Sequence, residues 1–338
     1  MLFWLRDTAY CLGWLPSVPP PLPVVSVGNL AFGGTGKTPV VQALARYCLS
    51  RQRRVAVLLR GYRRRSRGTV VVSRGNGPEV PWWESGDEAW LHAWKIPQAL
   101  VIVDRCRERA AQIARDLGAH IAILDDGFQY RRLRRHLDVV LLDRRSLRCR
   151  FAIPFGCLRE PLRALRRADL LLLTDLSVGE LPPSLRHQPW VAVRFTLEHA
   201  LLWTPEGAQP LAAPLPEPVA AFAGIARAER FRALLHASGW QLAFWKPFPD
   251  HHPYSWRNLQ ALLRRCHRLG IQYLVTTEKD LVRLLPYLGT LPRWGVGLIS
   301  ISLTASFGVG ASRLWECLER LLQQDSSVLE NRAQHLEG

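Results

Sequence analysis

Lysine is scarce in this chain of 338 residues: it supplies four of the 45 basic residues, and arginine supplies the rest. Against 28 acidic residues the formal net charge is +17, with a pI near 10.4. Such a balance implies an anionic partner: nucleic acid, a phosphate-rich substrate or an acidic membrane surface. Arginine grips phosphate bidentately, although arginine richness also follows from genomic base composition. A CxxC pair is absent, as is any tight Cys/His cluster. The seven cysteines stand apart at Cys11, Cys48, Cys106, Cys149, Cys157, Cys266 and Cys317, which argues against a zinc module. Their odd number and lack of a pairing pattern predict free thiols in a reducing compartment. No apolar run is long enough to span a bilayer. The N-terminal stretch Met1–Leu15 is apolar but short, and Arg6-Asp7 interrupts it. It has no basic leader and no small-residue cleavage site, so no signal peptide is expected. Internal repeats are missing too. A hydrophobic content of 48% supports a packed core, and the length allows one large domain or two ordinary ones.

The most informative stretch runs from Val24 to Pro39, reading VVSVGNLAFGGTGKTP. It reads as a buried strand, a glycine-rich loop and a helix start. Glycines let backbone N–H groups curl around an anion, and the helix N-terminus adds the positive end of its dipole. The loop Ala31, Phe32, Gly33, Gly34, Thr35, Gly36, Lys37 and Thr38 is therefore a candidate nucleotide-phosphate cradle. Lys37 can reach the β- and γ-phosphates, and the Thr38 hydroxyl can hold Mg²⁺. The strict pattern places Gly six residues before the lysine; Ala31 stands there, which the looser form admits. An amphipathic run follows, with Val40, Val41, Leu44, Ala45, Tyr47 and Cys48.

Further apolar strands alternate with helices, and each strand delivers a polar residue at its C-terminal end. Leu100–Val103 ends at Asp104, Ile121–Leu124 at Asp125-Asp126, Val139–Leu142 at Asp143, and Leu170–Leu173 at Thr174-Asp175. This order predicts a doubly wound, mostly parallel α/β sheet of P-loop NTPase type, with ligands at the carboxyl ends of the strands. A second set of strands and helices begins after a Pro-rich stretch around Pro205–Pro218. The predicted organisation is an N-terminal interfacial helix and Pro-rich linker over 1–22, a P-loop domain over 23–200 and a smaller α/β domain over 201–338. The cleft between the two domains is the expected working site. For the N-terminal segment, Leu2, Trp4, Leu5, Leu12 and Leu15 suggest a helix lying on a membrane; packing on its own domain is the rival reading.

Other constellations narrow the chemistry. Two acids after a strand, Asp125 and Asp126, are candidate Mg²⁺ holders downstream of the phosphate loop. Asp104 is a candidate general base for a substrate hydroxyl, with helix capping as its rival. Arg159, in Leu158-Arg159-Glu160-Pro161, could clamp a transferring phosphoryl group or form a surface ion pair. In Phe248-Pro249-Asp250-His251-His252, adjacent histidines point apart, so a two-histidine metal site is not expected; one could orient a carboxylate. Ser255 is a good N-cap for the following helix. Thr276-Thr277-Glu278-Lys279-Asp280 resembles a guanine-selecting loop only loosely, and Glu278-Lys279 can simply start a helix. The arginine patches at 60–67, 131–135, 144–150 and 159–167 read as anion-facing loops or solvated faces.

Taken together these motifs resemble the tetraacyldisaccharide 4′-kinase family, the lipid A 4′-kinases of Gram-negative bacteria. The likeness covers most of the chain and includes Val27-Gly28-Asn29-Leu30, the phosphate loop, Arg60-Gly61-Tyr62, Gly86-Asp87-Glu88, Asp125-Asp126-Gly127-Phe128-Gln129, the Leu158–Pro161 block, Phe222-Ala223-Gly224-Ile225-Ala226, the Phe248–His252 block and Thr276–Asp280. The resemblance implies ATP- and Mg²⁺-dependent phosphorylation of the 4′-hydroxyl of a lipid A disaccharide precursor at the cytoplasmic face of the inner membrane, in contact with anionic lipids. It implies Asp104 as base paired with His251, Asp125 and Asp126 serving metal and nucleotide, and Arg159 as a phosphate contact. Such an enzyme is expected to act as a monomer without nucleic acid. Three positions depart from the family pattern: Tyr130 stands where His usually follows the Gln, Ala89 where Pro is common, and Cys157 where Pro is common. The competing reading is a nucleic-acid-binding P-loop ATPase, which the charge supports but no aromatic-basic recognition motif accompanies. A non-enzymatic nucleotide switch is the third, disfavoured by the lack of a guanine-selecting loop.

Overall fold

The computed structural model describes residues 9, 10, 12–149, 151–204 and 207–334. Most of the expected N-terminal interfacial helix, at 1–8 and 11, lies outside the described residues. The chain divides into two compact units, Met1–Arg194 with Ala305–Gly338, and Phe195–Thr304.

In the first unit, β1 (Val24–Asn29), β2 (Val55–Leu59), β4 (Leu100–Val103), β5 (Ile121–Asp125), β6 (Leu137–Asp143) and β7 (Leu170–Thr174) are buried along their whole length. Strands covered on both faces carry near-continuous Val, Ile and Leu rather than an alternating pattern. Their order is β7-β6-β1-β5-β2-β4-β3, with the start of β8 (Trp190–Thr204) beside β7. All pairs are parallel except the edge strand β3 (Val70–Arg74), which runs antiparallel to β4. The central strand β1 pairs with β5 on one side, Val27 opposite Asp125, and with β6 on the other. Helix α1 (Lys37–Ser50) buries Val40, Val41, Leu44, Ala45 and Cys48. Pro39 is tolerated in its first turn because the N–H groups there have no intrahelical partner. Further helices of this part are α2 (Trp82–Ser85), α3 (Asp87–Lys95), α4 (Arg107–Asp116) and α5 (Arg144–Arg148). Its core includes two apolar clusters. One gathers Val24, Leu58, Ile102, Ala110 and Leu124; the other gathers Leu30, Phe128, Val140, Leu142, Leu158 and Leu171.

The second unit holds β10 (Val219–Ala223), α6 (Ala228–Ala237), β11 (Leu242–Pro247), α7 (Trp256–Arg268), β12 (Tyr273–Thr277), α8 (Glu278–Leu284) and most of β13 (Gly297–Phe307). Strands β11-β10-β12-β13 are parallel. Two of its features differ from the sequence expectation. Within the Pro-rich stretch 205–218, where no strand was expected, β9 (Gly207–Leu211) pairs antiparallel with the outer part of β8, including Pro210 at this edge. Strand β13 was not expected at all.

The C-terminal helix α9 (Ala311–Gln334) is the main difference in domain organisation. A cut at 200/201 assigns it to the second domain, yet it belongs to the first unit. Leu314, Leu318, Leu321 and Leu322 are buried. Trp315 stacks on Tyr47 of α1 at 4.5 Å, and the Tyr47 hydroxyl donates to Glu319 at 2.6 Å. A linear division of a sequence cannot anticipate a chain that leaves a unit and returns to it. The cysteine expectation fails at one place as well: Cys149 and Cys157 form a disulfide, with Cα atoms 6.0 Å apart, while Cys48, Cys106, Cys266 and Cys317 are free.

Candidate active site

The loop after β1 is built around Asn29, a fully buried side chain. Its amide donates to the Ala31 carbonyl and to the Thr35 hydroxyl, each at 2.9 Å. Its carbonyl oxygen accepts from Lys37 Nζ at 3.3 Å. One short polar side chain thus fixes both limbs of the loop and aims the lysine. Gly36 then takes a φ of 91°, a left-handed turn natural to glycine, and α1 starts at Lys37. No side chain caps α1 and no acid stands in its first turn. Its N–H donors and dipole are therefore left to an incoming anion.

Asp126 stands at the centre of the charged groups. It follows β5 with a φ of 59°, which turns its carboxylate toward the loop. Lys37 Nζ lies 3.3 Å from Asp126 Oδ1. Arg159 Nη1 donates to both carboxylate oxygens, at 2.7 and 2.5 Å. Burial pushes the Asp126 carboxyl up, but the charges of Lys37 and Arg159 outweigh it and hold the group below the usual carboxylate range. Arg159 is delivered by backbone pairing: its N–H donates to the Leu30 carbonyl at 2.6 Å, and the Phe32 N–H donates to Cys157 O at 3.0 Å. Its guanidinium also lies 5.0 Å from the centre of the Phe32 ring. Close approach of β1 to the Asp126-Gly127-Phe128 turn requires glycine at 28, where a Cβ would come within 2.4 Å of Phe128 Cβ.

Asp125 ends β5, buried, with Oδ2 2.9 Å from His92 Nε2 of α3. A carboxylate only accepts, so His92 donates from Nε2–H, and among the described residues its buried Nδ1 has no hydrogen-bond partner. The oxygen donors Thr38, Asp125 and Asp126 suit Mg²⁺. Among the described residues no group of three or more His, Cys, Asp or Glu is gathered for a metal. Mg²⁺ bound by one or two carboxylates together with substrate phosphates needs none.

Asp104 follows β4 with its side chain 1% exposed. Oδ2 accepts from Arg109 Nε at 2.6 Å and from the Thr69 hydroxyl; Oδ1 accepts from Arg109 Nη2 and the Cys106 N–H, both at 2.9 Å. The capping rival is thus met in part: Asp104 turns the chain into α4 without being its N-cap, which is Cys106. Burial pushes the carboxyl up, but Arg109, Thr69 and the Cys106 N–H outweigh it and bring it down to about 2. Tyr130, where the family pattern departs, anchors the same helix. Its hydroxyl donates to Glu108 at 2.5 Å, and Arg107 N–H donates back to it at 3.2 Å.

In the second unit, His251 lies on a turn with a φ of 53°, its N–H donating to Gly224 O at 3.0 Å. His252 stacks on Phe248 at 4.7 Å and meets Asn258 at 3.2 Å. The Thr276–Asp280 block is structural. Thr277 caps α8. The fully buried Asp280 accepts from Gly224 N–H at 3.0 Å, Tyr254 OH at 2.7 Å and Arg283 at 2.7 Å. Arg283 also donates to Gly224 O and His252 O, each at 3.2 Å. Ser255 caps α7, as its sequence position predicts.

Of the residues singled out from the sequence, Lys37, Asp126 and Arg159 meet directly. Thr38 lies on α1 next to Lys37, and Asp125 precedes Asp126 but turns to His92. Asp104 is engaged by Arg109, and His251 belongs to the other unit. Sequence reasoning missed Asn29 and His92 as site residues. Asn29 lay inside a quoted motif and had a signal: a polar side chain at the end of an otherwise apolar buried strand.

The family model described as "Tetraacyldisaccharide-1-P 4'-kinase" matches residues 1–323. A curated tetraacyldisaccharide 4'-kinase of Anaeromyxobacter dehalogenans is 42% identical over 298 residues, covering 84% of this chain and 78% of its own. One of Chlorobium luteolum is 35% identical over 335 residues, covering 94% of each. A crystal structure of LpxK from Aquifex aeolicus in complex with ATP superposes with a TM-score of 0.76 at 31% identity, covering 95% of both chains. The chain is therefore a kinase, with an α/β fold of P-loop NTPase type, and belongs to the tetraacyldisaccharide 4′-kinase family.

Proposed function

We propose that the chain transfers the γ-phosphate of ATP to the 4′-hydroxyl of a tetraacyldisaccharide 1-phosphate in lipid A synthesis. The observation that carries this reading beyond family membership is the meeting of Lys37, Asp126 and Arg159 over an uncapped helix N-terminus. Two cations held by one carboxylate form a site whose charges can be redistributed when a triphosphate arrives.

In this reading Ala31 to Thr38 cradle the phosphates, with Lys37 on the β- and γ-phosphates. Arg159 leaves Asp126 to neutralise the transferring group. Thr38, Asp125 and Asp126 would hold Mg²⁺, which, when bound, supplies charge neutralisation between the phosphates. His92 keeps Asp125 oriented for that task. Asp104, ionised at any physiological pH, accepts the proton of the acceptor hydroxyl; the assignment of His251 as its partner rests on the family likeness alone. The acceptor's four acyl chains place the reaction at a membrane, which we take to be the cytoplasmic face of the inner membrane with its anionic lipids. The enzyme would act there as a monomer and without nucleic acid. Among the described residues no helix is long and apolar enough to cross a membrane, so peripheral attachment fits. Family membership favours this reading over a nucleic-acid-stimulated ATPase.

The direct test is transfer of labelled phosphate from γ-labelled ATP to a detergent-dispersed tetraacyldisaccharide 1-phosphate. Labelled product with the wild-type chain, lost on Lys37→Ala, is the expected result. Folded protein that makes no product would end the reading.

A further inference from the structure

Three large apolar side chains project from five consecutive residues beside the phosphate loop. Phe151 is 62% exposed, Ile153 45% and Phe155 85%. Single exposed hydrophobes are ordinary on a protein surface; three on one short loop are not. The loop is not slack. Ile153 N–H donates to Leu158 O at 2.9 Å, Leu158 N–H to Phe151 O at 3.3 Å and Phe155 N–H to Ala152 O at 3.1 Å. The Cys149–Cys157 disulfide closes its base. Its return limb is pinned to the phosphate loop through Phe32, Leu30 and Arg159. Three backbone hydrogen bonds hold the loop, and the apolar cluster of Leu30, Phe128 and Leu158 lies alongside. Yet the two phenylalanines point away from that core.

The charge around the loop is one-sided. Between Arg144 and Ala168 the sequence holds eight arginines and a single acid, Glu160. That acid is buried and bonded to Arg167. Arg145, Arg148, Arg163 and Arg166 are exposed, on α5 before the loop and on the short helix Leu162–Arg167 after it. Exposed aromatics rimmed by arginine match an anionic bilayer surface: rings settle at the headgroup level and guanidinium groups meet lipid phosphates. A purely basic patch would suit nucleic acid equally well, but exposed Phe151 and Phe155 gain nothing from a phosphate backbone.

We propose that the Phe151–Phe155 loop is a membrane-docking element, inserting its apolar side chains into an anionic lipid surface while the flanking arginines hold the headgroups. It is separate from the N-terminal segment and rests on the lipid-acceptor reading above. Because the loop shares backbone hydrogen bonds with residues 30–32 and carries Arg159 at its foot, docking would bring the phosphate site to the plane from which a four-chain acceptor is drawn.

The test is flotation of the full-length protein with vesicles of phosphatidylethanolamine, with and without phosphatidylglycerol, in the absence of acceptor. Wild type is expected to float with the anionic vesicles. Phe155→Ser should weaken partitioning about tenfold and Phe151→Ser/Phe155→Ser about a hundredfold, the scale set by exposing one or two phenyl rings. Both variants change exposed residues, so thermal unfolding and turnover on detergent-dispersed acceptor should match wild type. A double variant that floats like wild type overturns the proposal and leaves binding to the N-terminal segment. A double variant that floats normally but loses turnover in detergent also overturns it, since the loop would then line the acceptor site. A wild-type protein that binds neither vesicle removes the membrane reading altogether, while phosphate transfer in detergent still tests the kinase reading separately.

Discussion

Replacing Arg109 by Ala probes how Asp104 is kept ionised. The carboxyl stands at about 2 against an ordinary 3.8. At about 1.4 kcal/mol per pH unit, that depression corresponds to about 2 kcal/mol of folded-state stability, since the side chain is almost fully buried. A carboxyl with a depressed folded-state pKa contributes this stability above its unfolded value and loses it as pH falls through the folded one. For Asp104 the window runs from 3.8 down to about 2. Arg109 supplies two of the four hydrogen bonds, but its side chain is 55% exposed, so water screens its share. Thr69 and the Cys106 N–H remain in the variant. Arg109→Ala should therefore lower the melting temperature at neutral pH by a few degrees at most. The deficit should shrink as pH is lowered through the window. In an Asp104→Asn background the same substitution should cost almost nothing, which a double-mutant cycle followed by thermal unfolding measures. The Asp104→Asn protein should also lose at least about a hundredfold in kcat with ATP KM little changed. A deficit from Arg109→Ala that is the same at every pH, and persists without the Asp104 carboxylate, would mean that Arg109 acts by packing and that the ion pair does not set the Asp104 charge.

Two further outcomes follow from the same geometry. Asn29→Ala removes the bonds to Ala31 O, Thr35 and Lys37; at about 1 kcal/mol for each of the three, ATP KM should rise by up to about a hundredfold with a smaller change in kcat, and an unchanged KM in steady-state kinetics would show that the loop holds its shape without it. Asp280→Ala removes the carboxylate paired with Arg283, whose side chain is 4% exposed, and leaves the Gly224 N–H without its acceptor. Urea unfolding should report a loss of about 3–5 kcal/mol; a loss below about 1 kcal/mol would mean that Asp280 does not hold this turn together.

What could be read from the sequence, and what could not, divides along one physical line. Strand ends were legible because a parallel sheet buries its strands on both faces, so that apolar runs stop where polar work begins. Asp104, Asp125 and Asp126 all fell at such stops, and the glycine pattern placed the phosphate loop between β1 and α1. The partners of those acids are a matter of side-chain direction, which no local pattern carries. Asp125 and Asp126 are neighbours in sequence, but Asp125 still belongs to β5 while Asp126 leaves it with a φ of 59°. One therefore meets His92 from α3, 33 residues away, and the other meets Arg159, also 33 residues away in the other direction. Both partners depend on packing that exists only after the sheet has formed. The same holds for Asp280, which reads as the end of a loose nucleotide-selecting motif and instead secures the turn bearing His251. The return of the chain through α9 was hidden for a related reason: its leucine stripe declares that it must be covered but not by which unit. Local chemistry thus identified the reactive groups, and long-range packing decided which of them act on each other.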